Sequence, residues 1–532
     1  MLENRLQDLP IGIQTFEELR NNNFLYVDKT KEVYELARIK TPYFLSRPRR
    51  FGKSMLCSTF KALFEGKKEL FEGTWIATSD WQWQTHPVIH LDLSKMTYET
   101  PEELKEALAS RLAEIGKMYN LTLDQKLPGA MLTTLIEQLA AQGPKPVCLI
   151  DEYDYPIITN LNDPTRLDAY REVMQNFYKP LKPCGEFLRF LFITGVSQFA
   201  KVSIFSALNH LRILSDLASS ATICGYTQAE LEQSFAPWIT RAANHNNFQK
   251  HDLLAKIKKW YNGYCFADPQ KAPHRVYNPF SIVNFFGDEN AEFKDYWFAS
   301  GTPTFVMQYF DNKSFLVSNF EHVKTDSSTI SSLVPEHLEI VTLLYQAGYL
   351  TIKSGTSTAS GVKYVLGFPN FEVKNACGLQ LLKLIAKKNI TALSDAADEL
   401  HTLFVHDTVT DQSLMKVFKK ICANIPIDMK LSSEENFQFL FWAVLQITGL
   451  DAKVENPSAK GYMDIMVPTS KRIFVIELKI VGSAESALDQ IDERRYDEKF
   501  LIDGLPVTRI GAVFSEKERT MTKCKVLENT PV

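Results

Sequence analysis

Short apolar runs alternate with segments of helical periodicity over the first 225 residues of this chain. The runs around Phe44, Ile89, Leu149 and Phe192 have the length of buried strands, and the segments between them space apolar residues three or four positions apart. This alternation indicates right-handed βαβ units and a parallel sheet covered by helices on both faces. We therefore predict an α/β domain over residues 1–225.

Local capping signals place two of the helices in the first half of the chain. Thr100 is followed by a proline and then by Glu103 three positions on, which is the pattern of a capping box and predicts a helix from 101 to 118. Thr227 and Glu230 repeat the pattern at the start of a second helix.

The pattern changes after residue 225. A further helix is predicted at 251–262, after which glycine and several prolines interrupt the chain and aromatic residues become dense. We predict a helical, lid-like subdomain over 226–330 and interpret its aromatic residues first as core, because aromatic side chains contribute large packing energies.

A smaller module follows at 331–415. Residues 336–345 have helical spacing, and 349–352 and 364–368 predict two strands joined by a linker, 354–362, rich in Gly, Ser and Thr. A helix followed by a hairpin indicates a winged-helix-like and helical region. Such a region contacts either DNA or protein, and its few basic residues leave both interpretations open.

The end of the chain returns to alternating strands and helices. A helical stretch covers 378–450, and strand and helix signals alternate over 451–525. We predict a second α/β domain over 416–532.

Composition limits the classes of function. The chain has 532 residues, 45% of them apolar, and a formal net charge of −4, which excludes a uniformly basic nucleic-acid binder but not a local basic patch. No apolar stretch approaches ~18 residues, so no membrane span is expected. The eight cysteines form no C-x-x-C pair, and the first residues lack the apolar core of a signal peptide. We expect a cytoplasmic protein with free thiols.

A phosphate-binding loop is predicted after the first apolar run. Residues 47–54 read Arg-Pro-Arg-Arg-Phe-Gly-Lys-Ser between a predicted strand and a predicted helix. In such a loop Lys53 reaches the β- and γ-phosphates and the Ser54 hydroxyl binds Mg²⁺. Arg47 stands where the usual pattern has its first glycine. The residues predicted to bind nucleotide are Arg49, Arg50, Phe51, Gly52, Lys53, Ser54, Met55, Asp151 and Thr194.

An acidic pair at the end of a later strand completes this prediction. Asp151 would bind Mg²⁺ from the carboxyl end of a buried strand, and Glu152 would orient and deprotonate the attacking water. Thr194 ends the next strand and either contacts the γ-phosphate or makes an ordinary strand-end hydrogen bond. Arg49 and Arg50 are candidates for charge stabilisation of phosphate or for contact with a partner subunit.

A second acidic site is predicted near the end of the chain. Asp464 lies in one apolar strand, and Glu477 and Lys479 lie in the next, two positions apart and therefore on one face. Two carboxylates could bind one or two Mg²⁺ ions while the lysine positions water. Glu435, at the start of a predicted helix, and Glu455 are further candidate acids. The alternative is a salt bridge at a strand edge.

The chain resembles the bacterial AAA-ATPase-like family in several motifs. They are Leu45 to Ser54, Leu149 to Asp154, Thr194 to Ser197, Tyr277 to Ser281, the opening Pro10-Ile11-Gly12 and Tyr26 to Thr30. Arg47 in place of glycine is usual in that family. Members often carry a C-terminal nuclease-like domain of the PD-(D/E)xK type, and Gln490 and Tyr496 match positions of that nuclease pattern.

The motifs and the resemblance together lead to one leading hypothesis. It is a P-loop ATPase that binds ATP and Mg²⁺ and is coupled to a Mg²⁺-dependent nuclease-like domain acting on nucleic acid, DNA first. The alternative is an ATP-controlled, non-catalytic switch or binding protein with an inactive nuclease fold. Hydrolysis of another phosphoester and assembly into a homo-oligomer stay open, and no membrane partner is expected.

Overall fold

A computed structural model describes residues 6–161, 163–198, 211–297, 322–331, 340–359, 361–386, 390–425, 433–448, 450, 452–458, 461–502 and 504–529. The chain forms two compact units, 1–308 with 324–371, and 309–323 with 372–532. The division after residue 371 falls inside the region 331–415 that was predicted as one part, and the four-part division of the chain stays a prediction.

The first unit contains thirteen described helices and eight strands. The helices are α1 Phe16–Asn21, α2 Thr30–Ala37, α3 Lys53–Phe64, α4 Pro101–Met118, α5 Pro128–Gln142, α6 Tyr155–Ile158, α7 Pro164–Tyr178, α8 Gln228–Ser234, α9 Ala236–His245, α10 Lys250–Tyr261, α11 Pro279–Gly287, α12 Ser327–Ile330 and α13 Ile340–Ala347. The strands are β1 Pro42–Ser46, β2 Val88–Asp92, β3 Val147–Asp151, β4 Phe190–Gly195, β5 Arg212–Ile213, β6 Val323–Asp326, β7 Thr351–Thr358 and β8 Gly361–Gly367.

The predicted parallel sheet is confirmed. Its five strands run in the order β2-β3-β4-β1-β5, and every adjacent pair is parallel. Because parallel strands end at the same edge, Asp151 at the end of β3 lies in register with Asp92 at the end of β2. Thr194, near the end of β4, pairs with Leu45 on β1 in the same way. The edge at which ligands bind in such sheets therefore carries the predicted polar residues.

The capped helices and the aromatic core of 226–297 agree with the sequence. Thr100 and Thr227 each form a full capping box with the glutamate three positions on. In the helical region, Phe235, Tyr261 and Phe285 are fully buried in one apolar cluster, which Leu9 and Leu25 from the beginning of the chain also join. Most of these aromatic residues are core, as predicted, whereas Trp260 and Phe280 are half-buried.

Strands β6, β7 and β8 form a three-stranded sheet in the order β6-β8-β7. The predicted hairpin is confirmed, but the predicted linker 354–362 is wrong. Strand β7 continues to Thr358 and β8 begins at Gly361, whose φ of 123° makes the turn possible. Threonine and serine are well accommodated in exposed antiparallel strands, so a polar composition alone does not separate a hairpin from a loop.

The second unit has six described helices and five strands. The helices are α14 Phe371–Ala386, α15 Ile390–His406, α16 Asp411–Ala423, α17 Glu434–Ile447, α18 Ala484–Arg494 and α19 Glu498–Ile502, and the strands are β9 Lys453–Ser458, β10 Gly461–Pro468, β11 Ile473–Lys479, β12 Val507–Ser515 and β13 Thr520–Asn529.

These strands form one mixed sheet in the order β13-β12-β11-β10-β9, in which only β11 and β12 are parallel to each other. Phe437 on α17 stacks on Phe514 of β12 at 4.5 Å between ring centroids, so this helix packs on one face of the sheet. The predicted second α/β domain is thus present. Among the described residues of the whole chain, no helix combines the length and apolar character needed to cross a bilayer.

Candidate active sites

The predicted phosphate-binding loop joins β1 to α3 through two residues in left-handed backbone conformations. Arg50 has φ 68° and Gly52 has φ 91°, and helix α3 begins at Lys53. Left-handed conformations are accessible to glycine without steric cost and are uncommon for other residues. The loop leads directly into the start of α3, and the first backbone N–H groups of a helix lack intrahelical acceptors and are suited to bind an anion.

Lys53 is the central cation of the site. Its side chain is only 3% exposed, and its Nζ lies 3.3 Å from the Pro48 carbonyl oxygen and 3.4 Å from Oε1 of Glu152. A buried ammonium needs a compensating anion. Glu152 supplies one here, and a phosphate group would supply a stronger one.

Asp151 and Ser54 form the predicted donor set for Mg²⁺. Asp151 is 1% exposed, and the Ser54 hydroxyl hydrogen-bonds its carboxylate. Burial, and next the charge of Glu152, raise the pKa of Asp151 to about 6, whereas Ser54 and Lys53 act in the opposite direction. A hydroxyl next to a buried carboxylate fits a divalent cation, which would also relieve the cost of keeping that carboxylate ionised.

Glu152 has φ 50°, which is strained for a residue with a side chain and costs about 1–3 kcal/mol. Its backbone N–H donates to Oδ1 of Asp151 at 3.0 Å, and its side chain is 20% exposed beside Lys53. Strain of this kind persists only where the surroundings impose it, and it is concentrated at functional sites.

Thr194 is fully buried, and its Oγ1 has no hydrogen-bond partner among the described residues. An unpartnered buried hydroxyl at this edge of the sheet favours a ligand contact over the ordinary strand-end hydrogen bond, because such a group otherwise bears a desolvation cost. The sequence interpretation left these two roles open.

Asp92 is an acid of this edge that the sequence analysis did not assign. It ends β2 in register with Asp151, and it borders the same cavity as the loop and Glu152. Its carboxylate accepts hydrogen bonds from the N–H and hydroxyl of Ser94 and lies 3.2 Å from Lys95. The available signal was an acid at the end of a predicted buried strand, the same signal that identified Asp151.

A cavity of about 410 Å³ adjoins the loop. One wall is the loop with Met55, and the opposite walls are the segment 10–14 and the first residues of α11, including Phe280. The volume lies within the range of small-molecule sites, roughly 300–1,000 Å³. The lining of the cavity is mixed in character, because it includes charged residues such as Lys53 and Glu152 as well as apolar side chains such as Ile11.

Arg47 does not line this cavity, unlike Arg49 and Arg50. It is 2% exposed, and its guanidinium donates to the carbonyl oxygens of Ser46, Ser215 and Ser220 at 2.9, 2.7 and 3.0 Å. It also lies 4.2 Å over the Phe266 ring, and burial lowers its pKa. Arg47, which replaces the usual glycine, therefore stabilises the loop through buried contacts.

The other loop residues divide into two groups. Arg50 borders the cavity with its guanidinium 4.9 Å over Phe280, and Arg49 borders it while its carbonyl accepts from Trp297 Nε1 at 3.2 Å. Phe51 instead buries its ring at 4.7 Å from Tyr264, so only its backbone is available to a ligand.

The acidic C-terminal site is built on β10 and β11. Oδ2 of Asp464 accepts from the Leu478 N–H at 2.7 Å, which places this carboxylate between Glu477 and Lys479 along the neighbouring strand. Lys479 Nζ lies 3.6 Å from Oε1 of Glu477. The three residues that the sequence predicted to converge are therefore adjacent.

Gln490 on α18 also reaches this site, since its Nε2 donates to Oε1 of Glu477. A Cβ at Gly511 on β12 would lie 2.2 Å from the Ala484 carbonyl oxygen, so glycine is required for α18 to approach the sheet this closely. Tyr496, just beyond this helix, is 2% exposed and hydrogen-bonds Gln490.

Glu477 is a buried carboxylate whose surroundings would favour a bound cation. It is 1% exposed, and burial followed by the nearby charge of Asp464 raises its pKa to about 8. Its Oε2 is buried without a hydrogen-bond partner in the described part of the chain. A divalent cation would satisfy this oxygen and offset both effects. The described residues contain no group of three or more His, Cys, Asp or Glu arranged for a metal.

Helix α17 brings a further acid, Glu434, close to this site. It lies one position before the predicted candidate Glu435. Glu434 Oε1 accepts from the Ile480 N–H at 3.1 Å, directly after Lys479. Gln438 on the same helix donates to the Asp464 carbonyl oxygen at 3.0 Å. The weak candidates Glu435 and Glu455 have side chains outside the described part of the chain.

Two family models match the regions that carry these sites. A model described as predicted AAA-ATPase matches residues 10–205, and a model of the PD-(D/E)XK nuclease superfamily matches residues 432–524. The fold and the two sites thus define an AAA-ATPase-like protein with a C-terminal nuclease-superfamily domain.

A similar protein of the same overall length exists in Azotobacter chroococcum mcd 1. It is described as "Uncharacterized protein in vnfD 5'region" and is 31% identical to this chain over 523 residues, which cover 96% of this chain and 97% of the relative. The chain belongs to the AAA-ATPase-like family, in which the resemblance noted from its motifs had placed it.

Proposed function

We propose that this protein is an ATP hydrolase and a Mg²⁺-dependent nuclease acting on nucleic acid, with DNA as the first substrate to test. The observation that supports the nuclease half most is the buried Oε2 of Glu477 next to Lys479 and Asp464, which has no hydrogen-bond partner in the part of the chain that the structure describes. A buried carboxylate oxygen without a partner bears a desolvation cost that a bound cation would offset.

In the ATPase half, Lys53 exchanges Glu152 for the β- and γ-phosphates when nucleotide enters the cavity. Ser54 and Asp151 hold Mg²⁺, which supplies charge neutralisation on the phosphates. Glu152, released from Lys53, orients the attacking water and accepts its proton. Thr194 Oγ1 donates to the γ-phosphate, and Arg49 and Arg50 stabilise phosphate charge in the same chain or in a neighbouring subunit.

In the nuclease half, Asp464 and Glu477 hold Mg²⁺, which supplies a lower pKa for a water and charge stabilisation at the phosphate. Lys479 positions the attacking water, and Gln490 orients the Glu477 carboxylate through its hydrogen bond. Reaction at a phosphodiester requires both positioning and charge neutralisation, and these four residues provide the protein's share of both.

All eight cysteines are free thiols, seven of them buried. Free thiols agree with the cytoplasmic location that we propose for the protein.

The test measures both activities in the purified full chain and in two variants. Lys53→Ala should abolish ATP hydrolysis, and Glu477→Gln should abolish cleavage of DNA and RNA substrates in Mg²⁺ or Mn²⁺. Lys61→Ala and Glu485→Gln are matched controls, because these exposed residues of α3 and α18 form surface ion pairs outside both sites. Wild-type protein that hydrolyses ATP but cleaves none of the substrates would refute the nuclease half and leave the ATP-controlled switch.

A further inference from the structure

Asp154 is a fully buried carboxylate that the mechanism above does not use, although it lies only three residues beyond Asp151. Its Oδ1 accepts from the Val196 N–H at 3.3 Å, and its Oδ2 accepts from the Ser197 N–H at 2.6 Å. Both N–H groups directly follow β4. The carboxylate therefore ties the segment after β3 to the segment after β4.

Further hydrogen bonds reinforce this junction through Tyr153. Its N–H donates to the Thr194 carbonyl oxygen at 3.0 Å, and its hydroxyl donates to the Ser197 carbonyl oxygen at 3.0 Å. Tyr178 in turn donates its hydroxyl to the Tyr153 carbonyl oxygen at 3.2 Å. The residue after Glu152 is thus held by its backbone and its side chain.

Gly195 shows how closely the two segments approach. A Cβ at this position would lie 2.3 Å from Oδ1 of Asp154 and 2.6 Å from the Tyr153 ring. No side chain fits between them, so residues 153 and 154 are held in close contact with β4.

We propose that Asp154 is a positioning residue for ATP hydrolysis, which acts by holding Glu152 in its left-handed conformation with its carboxylate at the cavity. The inference rests on the proposed role of Glu152 as the general base. Glu152 is strained at φ 50°, and such strain persists only when neighbouring contacts over-determine the backbone. Asp151 restrains Glu152 on one side, and the anchor of Tyr153 and Asp154 on β4 restrains it on the other.

The test is Asp154→Asn, which keeps the shape of the side chain but replaces one accepting oxygen by a donor. We expect kcat for ATP to fall ~10–100-fold, because small displacements of a reacting group have effects of this size, while Kd for a fluorescent ATP analogue stays within ~3-fold. Asp28→Asn is the matched control. Its carboxylate likewise accepts two backbone N–H groups, from Thr30 at 2.8 Å and Trp75 at 2.7 Å, and kcat should be unchanged.

A double-mutant cycle separates positioning from a purely structural role. If Asp154 acts through Glu152, then Asp154→Asn in a Glu152→Gln background costs less than ~2-fold in the residual kcat, since residues that act as a unit are not additive. Additive losses, or wild-type kcat in the single variant, would overturn the inference and leave the proposed ATPase intact. Wild type that binds but does not hydrolyse ATP would overturn both.

If Asp154→Asn does not fold, Tyr153→Phe provides the same readouts. It removes only the hydroxyl that donates to Ser197, and it should lower kcat less than the aspartate variant while leaving nucleotide affinity unchanged. An unchanged kcat in folded Tyr153→Phe would then count against the inference.

Discussion

Asp151 and Glu477 are both carboxylates at the ends of strands, each 1% exposed, and burial raises the pKa of each. They differ in what surrounds them. Asp151 lies beside a loop with left-handed backbone at Arg50 and Gly52, and it is followed by Glu152, which is also left-handed. Glu477 lies among side chains, Lys479 on its own strand and Gln490 on a helix.

The difference lies in how each site is organised before its ligand binds. At the first site, the backbone conformation of the loop shapes the cavity. A substitution at a residue that supports the loop, such as Arg47, should therefore weaken ATP binding although the residue does not line the cavity. At the second site, individual side chains carry the chemistry, so each substitution should act locally and with a magnitude set by its distance from the metal position. Four predictions test this comparison.

The largest effect is expected at Glu477. Replacing it by Gln removes one of the two carboxylates proposed to bind Mg²⁺, and nucleic-acid cleavage should fall on the order of 10³-fold or more, since metal charge stabilisation is worth several kcal/mol. Cleavage and ATP hydrolysis are measured on the same preparations. Loss of ATP hydrolysis in Glu477→Gln would show that the two sites do not act independently.

Arg47→Gly restores the usual glycine of the loop but should destabilise the protein. Three buried carbonyl oxygens each lose a hydrogen bond from the guanidinium, which costs about 3 kcal/mol in total at ~1 kcal/mol each. Chemical denaturation monitors the loss, and ATP affinity should fall with it. Arg49→Gly, a change at a half-buried neighbour, is the control and should cost no more than ~1 kcal/mol. Equal stability of Arg47→Gly and wild type would show that the arginine does not support the loop.

Gln490→Ala should reduce cleavage or metal affinity ~10–100-fold, as is typical when a hydrogen bond to a metal ligand is lost. The fold should be unaffected, because Gln490 is only partly buried. Asp489→Ala on the same helix is exposed and serves as the control. Full activity in Gln490→Ala would mean that Glu477 is oriented by Lys479 and the backbone alone.

The fourth prediction concerns how stability changes with pH. The pKa of Glu477 in the folded protein, about 8, exceeds its ordinary value of 4.5, so the folded state binds more protons and stability falls as pH rises between those values. Without divalent metal, Glu477→Gln should therefore become more stable relative to wild type from pH 5 to pH 8. Added Mg²⁺ should reduce this difference at pH 8. Parallel melting temperatures of wild type and variant across this range would contradict the raised pKa.

Much of the fold follows from local signals. The strands ending at Ser46, Asp92 and Asp151 were predicted from apolar runs, and the helix after Thr100 from its capping box, because burial period and capping are properties of neighbouring residues. The hairpin at 351–367 was predicted with a linker that is too long, because serine and threonine occur both in loops and on exposed strands.

The candidate sites were predictable to the extent that their residues share a strand. Glu477 and Lys479 are two positions apart, and their common face follows from strand geometry. Glu435 was predicted instead of Glu434. Which residue at the start of a helix faces a site depends on how the helix packs on the sheet. Asp92 was missed because its relation to Asp151 depends on which strands are neighbours.

The sequence by itself determined the class of this protein, since the loop at 47–54, the acids after β3 and the Glu-x-Lys strand carry their chemistry in short spacings. Tertiary structure decided which groups are buried and what they contact. It showed that Arg47, which the sequence analysis noted only as the replacement of a glycine, is a buried support of the loop, and that oxygens of Thr194 and Glu477 have no hydrogen-bond partner among the described residues. Spacing depends on the covalent chain, whereas desolvation and pairing depend on residues that folding brings from distant positions.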